Sequence, residues 1–177
     1  MVGDGTLGDI VEAVLQHYFN SNVSYIFPKN WDNGVDGSGS TSLVKAYNKS
    51  FLIDTATAGY KTNLYEFLSD NGVSTLDYVI ISHYDVDHIG NVINLINDGY
   101  ITTDTTVYLP APPSLLNKGS VENEEAIKGA LETAGITWIE PEEGDQVVIE
   151  DFVLTFLNCD VDQLVASGWN DYNNYSM

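Results

Sequence analysis

Apolar positions along this chain follow two rhythms, a helical one with neighbours three and four apart and an extended one with alternating or continuous runs, and the two take turns. Residues 9–19 set Ile10, Ala13, Val14 and Tyr18 at helical spacing behind an acidic first turn that suits the helix dipole, which predicts a short helix. Residues 23–27 alternate as a strand does, and residues 30–42, crowded with Gly, Asp, Asn and Ser, read as a loop. Two strands follow over 42–47 and 50–54, joined at Asn48 and Lys49 as a hairpin, the second ending at Asp54 and Thr55.

Residues 61–71 put Leu64, Phe67 and Leu68 on one helical face and stop at Gly72, a natural C-terminal cap. Residues 76–81 form a short, almost continuous apolar run, the pattern of a strand covered on both faces. A helix is expected over 89–97 with Ile89, Ile93 and Ile96 inward, then a strand over 105–109. Ser120 stands where it would cap a helix with Glu122, Glu124 and Glu125 in its first turn, running through Ala126, Ile127, Ala130 and Leu131 to Gly135. Three more strands are expected over 136–139, 146–149 and 152–157, the last two as a hairpin, and beyond Asn158 the chain turns polar and irregular. Helices alternating with buried strands predict an α/β layered fold, one domain over 1–177 without repeat or linker.

Composition excludes some classes. With 44% hydrophobic residues the chain can bury a core, so its acidity does not signal disorder. The balance of 26 acidic residues against 6 basic ones, a formal charge of −20, repels phosphate backbones and anionic lipid, and long nucleic acid is not an expected partner. Cys159 is the one cysteine, so no intramolecular disulfide or thiolate zinc cluster forms. No run approaches the roughly 20 apolar residues that cross a bilayer, and the first nine residues lack the features of a signal peptide, so a soluble chain is expected, with the compartment open.

The buried strand over 76–81 runs straight into Ser82-His83-Tyr84-Asp85-Val86-Asp87-His88-Ile89-Gly90, which brings four potential metal ligands, His83, Asp85, Asp87 and His88, into six residues. Two of the chain's 3 histidines fall here, directly after the strand, and the carboxyl end of an inner strand is where α/β folds place ligands. Imidazole and carboxylate together suit zinc, manganese or iron, and two histidines bracketing two aspartates can serve two adjacent ions, whose shared water is deprotonated near neutral pH. Two calcium-loop readings fail. Read as an EF-hand, the segment from Asp85 has Ile89 and Ile96 at its fifth and twelfth positions, and the one from Asp32 has Leu43 at its twelfth. His17 and Cys159 read as packed or surface residues, and Trp31, Trp138 and Trp169 are scattered rather than arrayed.

The segment resembles the metallo-β-lactamase superfamily signature His-x-His-x-Asp-His, and more closely the variant His-x-Asp-x-Asp-His followed by Gly in the hydrolase domain of the ComEC/Rec2 competence proteins. Phe51-Leu52-Ile53-Asp54-Thr55 is similar to the family strand that ends Leu-Ile-Asp-Thr-Gly, although Ala56 stands where the glycine is expected and Asn91 where a second glycine follows His88. The resemblance implies an αββα metallo-β-lactamase-type sandwich over residues 20–177, with residues 1–20 as a helical extension. It implies that His83 and Asp85 hold one divalent ion (zinc or manganese) and Asp87 and His88 the other, that Asp54 braces the site, and that Asp87 serves catalysis. Tyr84 is expected to line the substrate pocket. Asn173-Asn174-Tyr175-Ser176 resembles a family motif from mid-domain, so the second half, with further ligands, is expected to be missing. The implied activity is metal-dependent hydrolysis of a small phosphoester or acyl compound. The rival expectation is an inactive metal-binding or self-associating module, a homo-oligomer covering an open sheet face.

Overall fold

The computed structural model describes residues 22–28, 39–111, 118–157 and 159. The helix expected over 9–19, His17, Trp31, Trp169, most of the 30–42 loop and the motif at 173–176 lie outside the described residues. The six-stranded sheet runs in chain order, β1 (Val23–Ile26), β2 (Ser42–Ala46), β3 (Lys49–Ile53), β4 (Tyr78–Ile80), β5 (Thr106–Tyr108) and β6 (Trp138–Ile139). β1 to β3 pair antiparallel, and β3 to β6 pair parallel. Parallel neighbours need crossovers. These are α1 (Lys61–Asp70) between β3 and β4, α2 (Val86–Ile89) and α3 (Val92–Asn97) between β4 and β5, and α4 (Lys118–Ala134) between β5 and β6. β7 (Gln146–Ile149) and β8 (Phe152–Thr155) form a separate antiparallel hairpin.

Strand alternation sorts side chains between two cores. Leu43, Leu52, Val79 and Val107 point to one face of the sheet and pack with Leu64, Phe67 and Leu68 of α1, Val92 and Leu95 of α3, and Ile127 and Leu131 of α4. Val44, Ala46, Phe51 and Ile80 point to the other and meet Val147, Phe152 and Phe156 of the hairpin segment. Phe51 stacks on Tyr78 at 4.3 Å between centroids and meets Phe152 at 5.4 Å, which fastens the hairpin to the sheet. Both faces being covered explains the continuous apolar run through β4. The hairpin turns its other face outward, exposing Val148 and its cross-strand neighbour Val153. Among the described residues no helix is long and apolar enough to cross a membrane.

Two expectations are corrected. The helix over 89–97 is broken at Gly90 and Asn91 into α2 and α3. The break resets the helical phase, so Val92 and Leu95 face inward, while Ile93 is 40% exposed and only Ile89 and the partly buried Ile96 remain as expected. Ser120 is the third residue of α4, buried within it, so it is not the cap, and the glutamates lie beyond the first turn of the helix.

Candidate metal centre

The site forms where β3 and β4 end side by side. Their parallel register sets Ile53 against Ile80, so the residues after each strand emerge at the same edge. Asp54 extends the ladder, donating its backbone N–H to Ile80 O at 2.9 Å, then turns into the left-handed region at φ +58, and Ala56 does the same at φ +57. This double twist points the Asp54 carboxylate at the β4 loop, where it is 4% exposed. Oδ1 accepts the Ser82 N–H at 2.8 Å; Oδ2 accepts the Ser82 hydroxyl at 2.8 Å and His88 Nδ1 at 2.7 Å.

That network orients both imidazoles. The Ser82 hydroxyl gives its proton to Asp54, so Oγ is left to accept from His83 Nδ1 at 3.0 Å. With Nδ1 of each ring donating, the Nε2 atoms carry the lone pairs that ligate metals, a tautomer assigned from the network. The rings lie 3.9 Å apart between centroids. Asp85 stands at the N-cap of α2 but makes no side-chain cap bond; its Oδ2 faces His83 Nε2 at 3.6 Å. Asp87 Oδ2 faces His88 Nε2 at 3.6 Å, with the Asp87 side chain 48% exposed.

The pairs fit a metal in spacing and chemistry. Donors bound at 2.0–2.2 Å to one tetrahedral ion lie about 3.4 Å apart, close to what each His–Asp pair shows. They do not form a complete cage, for among the described residues no group of three or more His, Cys, Asp or Glu side chains converges on one point. Each pair offers two donors.

Electrostatics separates the two histidines. Burial, with the neighbouring His88, holds His83 below the ordinary histidine value against the pull of Asp85, Asp54 and Asp87. Burial also acts to lower His88, but the Asp54 hydrogen bond and the charges of Asp54, Asp87 and Asp85 outweigh it and raise the ring above that value.

Neighbouring segments pin the loop. Ser40 N–H donates to the Asp87 carbonyl at 2.9 Å, and Gly39, at φ +74, lies so close beneath that a Cβ would overlap it. Thr55 donates its N–H and its hydroxyl to the His88 carbonyl at 2.6 and 3.0 Å. Gly90 packs against the Ala56–Ala58 segment, and a Cβ there would overlap the backbone of all three residues.

Residues 34–157 match the Metallo-beta-lactamase superfamily. The chain belongs to that superfamily. Among solved structures, BJP-1, a subclass B3 metallo-beta-lactamase of Bradyrhizobium japonicum, shares 18% identity at a TM-score of 0.45, over 76% of this chain and 48% of that one. The metallo-beta-lactamase fold protein YhfI from Bacillus subtilis shares 19% at 0.45, over 76% and 51%, and a diphosphatase from the PhnP family 18% at 0.42, over 63% and 40%. The chain therefore spans about half the length of these structures or less. No curated protein matches it.

In this member of the metallo-beta-lactamase superfamily the five residues named from sequence, Asp54, His83, Asp85, Asp87 and His88, come together at one sheet edge. Tyr84 does not join them. It is 2% exposed in the helix-side core, its hydroxyl donates to Pro110 O at 2.8 Å and its carbonyl accepts Asn123 Nδ2, so it anchors the loop from below. A cleft of about 480 Å³ opens on the helix side, walled by Thr57, Val86, Ile89, Ile93 and Ile127; none of the four candidate ligands lines it. Burial and the charges of Glu143 and Asp145 push the Cys159 thiol up, in keeping with an unreactive cysteine. Sequence reasoning assigned no role to Ser82, Thr55 or Gly39. Ser82 carries a signal only as the first polar residue after buried β4, Thr55 only as the residue that follows Asp54 at the end of β3, and Gly39 carries none.

Proposed function

We propose that this chain carries the metal-binding face of a metal-dependent hydrolase acting on a small phosphoester or acyl compound. The observation that carries the reading is the pair of His–Asp couples, each at ligand spacing, on a loop whose histidines are oriented through Asp54 and Ser82. His83 and Asp85 would hold one divalent ion, Asp87 and His88 a second, zinc or manganese by donor type. Such ions supply Lewis acidity and an activated water. Asp54 keeps His88 Nδ1 occupied so that Nε2 faces outward. Asp87, half-exposed beside His88 Nε2, would serve as the carboxylate that accepts a proton from an attacking water. The charge of −20 disfavours long polyanionic substrates and leaves small ones.

Elemental analysis of protein purified without chelator, beside a His83→Ala/Asp87→Ala double variant, tests this. One or two transition-metal ions per chain, lost in the variant, followed by hydrolysis in a phosphodiester and acyl-ester screen, is the expected result. Equal metal content in both chains, or none in either, overturns it.

A second reading, a metal-binding or self-associating module without hydrolysis, draws on the two-donor limit of each pair and on the exposed Val148–Val153 face of the hairpin. A concentration-dependent dimer in sedimentation, dissolved by Val148→Asp, together with metal uptake but no turnover, would favour it over the enzyme.

A further inference from the structure

We infer that Asn91 is a positioning residue for the metal loop: its side-chain amide holds Ala56 in the left-handed conformation and so keeps Asp54 aimed at His88. The inference rests on the metal-site reading above. Left-handed backbone is disfavoured for a residue with a Cβ, and Ala56 has no polar side chain to offset it, yet it sits there at φ +57, fully buried. Something outside the residue must hold it.

Asn91, also 0% exposed, is at hand. It occupies the N-cap of α3, where an asparagine ordinarily turns its oxygen to the first free amides of the helix, but it makes no side-chain cap bond. Its Nδ2 instead reaches across to donate both protons, to Thr55 O at 2.8 Å and to Thr57 O at 2.7 Å, the carbonyls on either side of Ala56. Its Oδ1 accepts from Asn94 Nδ2 at 3.1 Å, which sets which way the amide faces, and its backbone N–H donates to Thr55 Oγ1 at 3.2 Å. The asparagine gives up capping in order to strap the 54–57 turn. Ala56 and Asn91 are also the two positions at which glycine is expected from the family resemblance. A glycine at 56 enters the left-handed region without a strap, so the two departures form one compensating pair.

The test compares four chains, the parent, Ala56→Gly, Asn91→Gly and the double variant, by urea unfolding of the metal-free protein and by cobalt(II) titration followed through its visible absorption. Asn91→Gly is expected to lower the urea midpoint and to weaken cobalt binding by about 10–100-fold when Ala56 is present. Both losses are expected to shrink to within a few-fold of the Ala56→Gly chain when the two changes are combined, since the flexibility added by a glycine at 91 is common to both backgrounds and cancels in the cycle. If Asn91→Gly fails to fold, recovery of folding in the double variant is the same rescue, and its failure there overturns the inference. Equal losses in both backgrounds, or a urea shift with cobalt affinity and spectrum unchanged, also overturn it. A parent chain that takes up no cobalt sinks the metal reading itself, while the urea cycle still decides whether Asn91 holds Ala56.

Discussion

Replacing Asp54 by asparagine exchanges one oxygen for an NH2 group in a densely bonded position of the loop. The carboxylate receives three donors, the Ser82 N–H on Oδ1 and the Ser82 hydroxyl and His88 Nδ1 on Oδ2, in a place 4% exposed. An asparagine has one acceptor oxygen. Turned toward Ser82 Oγ and His88, it keeps those two bonds without their charge and sets its NH2 against the Ser82 N–H, a buried donor facing a donor. Losing one charge-assisted hydrogen bond costs about 1.5–3 kcal/mol and stranding the donor about 1–3 more, so Asp54→Asn should cost about 2.5–6 kcal/mol. Against a total stability of about 5–15 kcal/mol that is a large fraction, read as a fall of about 1–3 M in the urea midpoint of the metal-free chain. Metal affinity, measured by competition with a chromogenic chelator, should fall about 10–100-fold because His88 loses the partner that orients it. An Asp54→Asn chain within about 0.5 kcal/mol of the parent and equal to it in metal affinity would refute the bracing role.

The half-exposed Asp85 and Asp87 predict the opposite signature: Asp87→Asn should leave metal-free stability within about 0.5 kcal/mol of the parent while lowering the metal content of purified protein. His88, raised above the ordinary value near 6.5, contributes stability that is fully present below that value and lost as pH rises through the higher folded one. A metal must displace its proton, so apparent affinity should weaken by up to about tenfold per pH unit below the folded value, and calorimetry in two buffers should show proton release that Asp54→Asn diminishes. Gly90→Ala forces a Cβ into the backbone of Ala56 and Ala58 and should cost about 1–3 kcal/mol by urea unfolding, with metal affinity falling alongside. Phe152→Ala removes the ring that seats the hairpin on Phe51 and should cost about 3–5 kcal/mol, with protection from amide exchange lost first in β7 and β8.

Much of this was legible in the chain because it is local. Alternation and helical spacing are properties of neighbouring residues, so β2, β3, α1, β7 and β8 fall within about two residues of their expected bounds. The candidate ligands could be named from sequence because a metal loop must crowd rare side chains into a few positions after a strand. The broken helix at 90–91 was not, since the close approach of the Ala56–Ala58 backbone to Gly90 joins segments more than thirty residues apart. Tyr84 was misplaced for a related reason: which side of a loop faces the core depends on Pro110 and Asn123, which only the fold brings near.

The sequence by itself thus determined the layered α/β class and the two apolar faces of the sheet, and it singled out His83, Asp85, Asp87 and His88 as the candidate donor set, because residue type and short-range period carry that information. Only the tertiary structure decided that Asp54 grips His88 and Ser82, that Ser40 and Gly39 clamp Asp87 from one side and Thr55 holds His88 from the other, and that Asn91 spends its amide on Ala56 instead of its own helix. Those contacts join residues 28 to 48 positions apart, and their partners are chosen by the parallel register of β3 with β4, which no local pattern encodes.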